Sequence, residues 1–211
     1  MNNALLTVDE ALARLLAGVQ PIREVEVIAT MAANGRVLAA PQRSTVDVPG
    51  HDNSAMDGYA VRSADCVSGQ ARLKVSQRIA AGGVGVPLAP GTVARIFTGA
   101  PMPPGADAVV MQEQTEAAGD AVIVRHAPKA SEWVRYIGED IRANSEILPA
   151  GIRMRPQDAG LAASVGLATL PVTRKLRAAI FFPGDELVMP GEPLPNGAIY
   201  NSSRYFLTSM L

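Results

Sequence analysis

Ala71-Arg72-Leu73-Lys74-Val75-Ser76-Gln77-Arg78-Ile79 heads a set of short β-rich runs that decides how the middle of this chain folds. Val93 to Thr98, Ala108 to Glu113 and Ala121 to His126 are its companions. Turn clusters separate them, among them Ala80-Ala81-Gly82-Gly83 and Pro101 to Asp107. Short strands punctuated by Gly, Pro and acidic turns predict a separate, mostly β module over residues 43–142.

The flanks have a different pattern. Thr7-Val8-Asp9-Glu10 is a capping box, followed by Leu12, Leu15, Leu16 and Val19 at helical spacing and Gly18 near the end. A second short helix is expected around Val27 to Ala33, closed by Asn34-Gly35 as a left-handed cap. A third begins at Pro156, runs to about Ser164 and ends at Gly166. Leu176 to Phe182 is a largely continuous apolar run broken by Pro183-Gly184-Asp185, which predicts a parallel strand buried on both faces. Asn201-Ser202-Ser203 offers an N-cap for a final helix from near Arg204 to Leu211. One strand and one helix cannot bury such a run, because parallel sheets carry helices on both faces. The residues are therefore expected to belong to a longer polypeptide, or to a sheet completed by a partner chain.

Bulk properties exclude several classes. The 211 residues carry a net charge of −1, so no nucleic-acid or anionic-membrane partner is expected from electrostatics. Aromatics make up 4% of the chain, too few to suggest a base-stacking platform. Its two histidines, His51 and His126, are far apart, and a structural zinc site is not expected. Cys66 is the single cysteine, which points to a reducing compartment. Asp9 and Glu10 stand where a signal peptide would be basic, and no run approaches the ~18 apolar residues of a membrane span. A soluble, cytoplasmic protein is the expectation.

Four segments can carry chemistry. Asp47 to Tyr59 holds Asp47, Asp52 and Asp57 among Asn53, Ser54 and Gly58. It is either a solvated Asx-rich turn or a rigid loop placing one carboxylate against Mg²⁺ or a polar ligand; its spacing excludes an EF-hand. Thr98-Gly99-Ala100-Pro101 ends a β run, and its N–H groups with the Thr98 hydroxyl can receive an oxyanion, although no Walker A lysine follows. Arg135-Tyr136-Ile137-Gly138-Glu139-Asp140 is either a surface ion pair or part of a site. Asp185 and Glu186 follow the expected parallel strand, where open α/β sheets bind ligands. No Ser/His or Cys/His pair can be argued.

These four segments, in this order and at these separations, resemble the molybdopterin molybdotransferases, the MoeA/gephyrin E-domain family, over essentially the whole chain. Asp52-Asn53-Ser54-Ala55-Met56-Asp57-Gly58-Tyr59-Ala60 is the most specific match. Thr98-Gly99-Ala100, Gly138-Glu139-Asp140-Ile141 and Gly184-Asp185-Glu186-Leu187 support it. The resemblance implies a mixed α/β multidomain homodimer. Residues 1–42 and 143–174 would form a discontinuous, elongated α+β dimerisation domain, with 43–142 as the inserted β-rich module. Residues 175–211 would begin a parallel α/β molybdopterin-binding domain. The implied activity is insertion of molybdate into adenylylated molybdopterin with release of AMP, assisted by Mg²⁺, in a cleft between subunits. Asp57, Thr98, Asp140 and Glu186 become the implied catalytic residues, with Asp57, Asp140 and Glu186 also the Mg²⁺ ligands. Ser54, Gly99 and Asp185 become cofactor-binding residues, and other molybdenum-cofactor biosynthesis proteins the expected partners.

The sequence also departs from that family. Phe182-Pro183 replaces the usual hydroxyl pair before Gly-Asp-Glu, removing a backbone donor at Pro183. His51 occupies a position where a bulky apolar residue is common. The family's glycine-rich pterin loop and Pro-Gly-Asn-Pro segment have no counterpart within these residues, so the 211 residues alone are expected to be inactive. A non-catalytic dimerisation scaffold of the gephyrin type is the alternative.

Overall fold

The computed structural model describes residues 5–211. In chain order, α1 (Val8–Ala17) precedes β1 (Val25–Ala29), β2 (Gln42–Arg43), β3 (Asn53–Ser54) and β4 (Gly58–Val61). Next come β5 (Ala71–Ile79), β6 (Thr92–Ile96), β7 (Ala108–Met111), β8 (Thr115–Ala118) and β9 (Ala121–Val124). The remaining elements are β10 (Val134–Arg135), β11 (Glu146–Leu148), α2 (Pro156–Ser164), β12 (Thr169–Thr173), β13 (Leu187–Val188), β14 (Ile199–Tyr200) and α3 (Ser202–Met210). Residues 26–172 form one compact unit; the described residues up to 25 join 173–211 in a second.

The first unit is built on a six-stranded sheet in the order β7-β4-β6-β5-β9-β8. Its pairs are antiparallel except β5 with β6, which run parallel. Strand alternation sends Val61, Val93, Val110, Leu73 and Val122 into one buried cluster, and Ala60, Ala94, Ile96, Val109 and Ile79 into another. A bulge between Val75 and Gln77 shifts the register of β5 against β6. Because one extra residue reverses the alternation, Ala71, Leu73 and Val75 pack with the first cluster while Ile79 packs with the second.

Chain segments before and after this sheet in sequence share a third cluster. Ala33, Leu38, Leu148, Met154, Ala162, Leu170 and Val172 form its buried part. β2 pairs with β11, and β1 with β12, so the two separated segments are also joined by backbone hydrogen bonds. α2 begins at Pro156, where a missing N–H costs nothing, and Asp158 accepts the Arg155 N–H at 2.9 Å.

Two expectations are corrected. Residues 27–33 are not a helix: β1 runs to Ala29 and a single 3₁₀ turn covers Thr30–Ala32. Val25, Val27 and Ile28 are β-branched, and β12 offers a partner strand, which a seven-residue helix without tertiary support cannot match. Gly35 is left-handed as expected, at φ 77°, but follows that turn. The run from Leu176 to Phe182 forms no strand, and Phe181 is 85% exposed. A doubly buried strand needs neighbours on both edges and cover on both faces; after residue 173 the described strands are β13 and β14, a two-residue parallel pair.

In the second unit, the α1 capping box is present. Thr7 N–H donates to Glu10 Oε2 at 2.9 Å and Glu10 N–H to Thr7 Oγ1 at 3.3 Å. None of the α1 side chains is buried. α3 is capped by Asn201, whose Oδ1 accepts the Arg204 N–H at 3.0 Å. Among the described residues, no helix is long and apolar enough to cross a membrane.

Candidate active site

Asp57 sits on the turn between β3 and β4, which is tied down at every step. Ser54 Oγ donates to Met56 O at 2.6 Å, and Ala55 N–H donates to Trp133 O at 2.9 Å. Gln112 N–H donates to Asp57 O at 3.0 Å. The next residue has to be glycine: a Cβ on Gly58 would lie 2.0 Å from Val110 O, so any side chain would separate β4 from β7.

The second loop follows β6. Thr98 donates its backbone N–H and its hydroxyl to Asp57 Oδ1, each at 2.8 Å. Both bonds favour the charged carboxylate, so Asp57 titrates below the ordinary aspartate range; the backbone N–H is the larger cause, then the hydroxyl, with the Arg95 charge adding. Gly99, at φ 79°, donates its N–H to Ser54 O at 2.8 Å, and Ala100 N–H is bonded to Phe97 O at 2.9 Å. The three loop N–H groups expected to receive an oxyanion are therefore all taken within the protein. Thr98 orients a carboxylate instead.

The three aspartates of the first segment are doing different things. Asp47 Oδ1 accepts Ala143 N–H and Asp52 Oδ1 accepts Ile137 N–H, both at 2.8 Å, so these two fasten the 136–143 segment. Among the described residues nothing donates a hydrogen bond to Asp57 Oδ2, and Asp57 is exposed. Along the fastened segment, Asp140 N–H donates to Val48 O at 3.0 Å and Gly138 takes the left-handed φ of 69°.

Asp140 Oδ2 accepts Arg135 at 2.5 Å, and Glu139 Oε1 accepts the same guanidinium at 2.7 Å. The Arg135 hydrogen bond, then the Tyr136 N–H, hold Glu139 below the usual glutamate range. Glu139, Asp140, Arg142 and Glu146 line an open cleft of about 460 Å³. Asp185 and Glu186 lie in the other unit, both exposed. The Glu186 carboxylate folds back to within 2.6 Å of where a Cβ on Gly184 would stand. Thus Asp57 with Thr98, and Ser54 with Gly99, are brought together directly. Asp140 is held by Arg135 on the strand that pairs with β3.

Two arginines were not foreseen. Arg95 Nη1 donates to Gly58 O at 2.8 Å and Nη2 to Gln112 Oε1 at 2.7 Å, beside Asp57. Arg78 stands next to it on β5. Their adjacency depends on the β5 bulge, which has no signature in a single sequence.

This is the architecture of a MoeA protein. The structure superposes on the crystal structure of the molybdopterin biosynthesis MoeA protein from Pyrococcus horikoshii OT3 with a TM-score of 0.86 and 29% identity, covering 98% of this chain and 56% of that one. Residues 6–166 match the family profile described as the MoeA N-terminal region, domains I and II, and the chain belongs to that family. A molybdopterin molybdenumtransferase from Nostoc sp. is 40% identical over 197 residues, 90% of this chain and 44% of the relative. The protein of the same name from Haemophilus influenzae is 36% identical over 209 residues, 98% of this chain and 52% of the relative. The chain thus spans about half the length of these curated relatives.

Proposed function

We propose that this chain supplies the Asp57–Thr98 part of the active site of a molybdopterin molybdotransferase, which inserts molybdate into adenylylated molybdopterin and releases AMP. The observation that carries the reading is the exposed Asp57 carboxylate, kept ionised and aimed by two hydrogen bonds from Thr98. The names of the relatives and the family match support it.

Mg²⁺ is the cation this reading implies. Among the described residues, no three His, Cys, Asp or Glu side chains group as a metal cluster. Mg²⁺ is commonly held by one or two carboxylates together with substrate phosphates, and Asp57 has an oxygen to give, so the donor chemistry fits. Asp57 and Asp140 would hold it, with Glu186 contributed by the dimer mate as the resemblance implies; bound there, it would offset pyrophosphate charge. Thr98 keeps Asp57 charged and pointed. Ser54, Gly99 and Asp185 are read as cofactor-side positions, the first two by shaping the paired loops.

A cytoplasmic homodimer working with other molybdenum-cofactor biosynthesis proteins completes the reading. So does the division into 1–42 with 143–174, 43–142 and 175–211. The buried cluster drawn only from the segments flanking 43–142 supports the first boundary pair.

A hybrid tests the function: residues 1–211 replace the matching half of the Haemophilus influenzae relative in a strain lacking molybdenum insertion. Restored molybdoenzyme activity is expected, and its loss with Asp57→Ala. Full rescue by the Asp57→Ala hybrid would remove the catalytic reading and leave the scaffold.

A further inference from the structure

Arg78 and Arg95 flank one aromatic ring. Each guanidinium carbon lies 4.6 Å from the centroid of Phe97, and Arg95 also lies 5.3 Å from that of Tyr59. The two arginines are direct partners across the parallel β5–β6 pair. Without the bulge between Val75 and Gln77, alternation would send Arg78 to the opposite face.

Aligned like charges on neighbouring strands oppose folding, and among the described residues neither arginine forms an ion pair, although the Asp57 charge acts on Arg95. Arg95 is bonded to two neutral acceptors, Gly58 O and Gln112 Oε1. Arg78 has no hydrogen bond or ion pair among the described residues; its one neighbouring interaction is with the Phe97 ring, and it is exposed. The ring keeps both planar forks fixed without consuming their N–H donors. Phe97 immediately precedes Thr98, so the pair stands beside the carboxylate of the proposed active site, where the loop N–H groups are already spent.

We propose that Arg78 and Arg95, splayed on Phe97, form a binding subsite for a tetrahedral oxyanion, phosphoryl or molybdate. Guanidinium forks match the oxygen spacing of such anions and make charge-assisted hydrogen bonds to them. An anion bound there relieves the repulsion between the aligned charges, of which the Asp57 carboxylate acts only on Arg95. That it belongs to a substrate rests on the transferase reading; that the subsite exists rests on the arginine geometry alone.

The test is titration of the chain with inorganic pyrophosphate and, separately, with sodium molybdate at low ionic strength, followed by calorimetry and by the arginine Nε–H NMR signals. At least one anion is expected to bind and to move the Arg78 and Arg95 signals; which of the two does so identifies the source. Arg78→Gln is expected to weaken that binding by about tenfold or more, the loss of charge-assisted hydrogen bonds. Arg72→Gln, which removes the same charge from the same strand, is expected to leave it unchanged. The proposal is overturned if neither anion moves the two signals, if Arg78→Gln binds as well as the parent chain, or if Arg72→Gln weakens binding equally. Since no turnover is measured, failure here leaves the transferase reading to its own hybrid experiment.

Discussion

Thr98 gives both its backbone N–H and its hydroxyl to a single oxygen of Asp57, at 2.8 Å each. Two donors on one carboxylate oxygen stabilise the anion, and the backbone donor cannot be removed by changing the side chain. The carbon NMR titration of Asp57 is therefore expected to have its midpoint below the ordinary aspartate value. Thr98→Val should raise it part of the way, because the backbone bond is the larger cause. Full return to the ordinary value in that variant would show that the backbone bond contributes nothing. With the folded value depressed, the linked stability is present above about pH 4 and fades as pH falls through the folded midpoint. Asp57→Asn should accordingly lose stability relative to the parent at neutral pH and converge with it in acid.

Gly58 and Gly99 flank the same site but are glycine for different reasons. A Cβ at Gly58 meets the Val110 carbonyl oxygen at 2.0 Å, whereas one at Gly99 meets nothing within 4 Å and has only the φ of 79° against it. Gly58→Ala has to move backbone and should cost about 3 kcal/mol or more, the upper range for overpacking. Gly99→Ala should cost about 1–2 kcal/mol, the penalty of a left-handed residue. Urea midpoints of the two variants decide this, and equal losses would defeat the close-approach argument.

Features specified within one turn of chain could be read in advance. The Thr7/Glu10 box, the Pro156 start and the Asn201 cap are local hydrogen-bond chemistry, and the Ala71–Ile79 run coincides with β5. β4 was missed as a strand: it is four residues long, begins with Gly58, and owes its place in the sheet to β6 and β7. The same holds for β1, whose pairing partner lies far along the chain. At the site, Asp57 and Thr98 could be named, but not that they bond to each other. Nor could the sequence show that Asp47 and Asp52 are structural staples, since their partners, Ala143 and Ile137, are distant in sequence. Arg78 beside Arg95 required the bulge.

Cys66 is fully buried, and burial pushes its thiol up to about 11, with the charges of Asp65 and Asp107 adding. A thiol kept protonated in the folded state is a poor nucleophile. Cys66 is expected to resist a thiol reagent at pH 8 until urea unfolds the chain; rapid labelling of the folded protein would contradict its burial. The folded pKa exceeds the unfolded one, so the fold holds the proton more tightly and loses stability as pH rises from about 9 to about 11. Cys66→Ala should remove that part of the alkaline slope.

Leu170 and Ile96 are both fully buried, yet they belong to clusters with no member in common. Truncating either to alanine leaves a cavity and should cost about 2–5 kcal/mol. The consequence should be local, because the Leu170 cluster draws only on residues 28–38 and 147–172, while the Ile96 cluster rests on the six-stranded sheet and the loops around it. Amide exchange read by mass spectrometry is expected to show Leu170→Ala losing protection in β1, α2 and β12 while β4, β5 and β6 keep theirs; Ile96→Ala should do the reverse. Were Leu170→Ala to loosen β6 as much as β12, the clusters would form one cooperative core. The segments flanking residues 43–142 would then not fold as a body of their own.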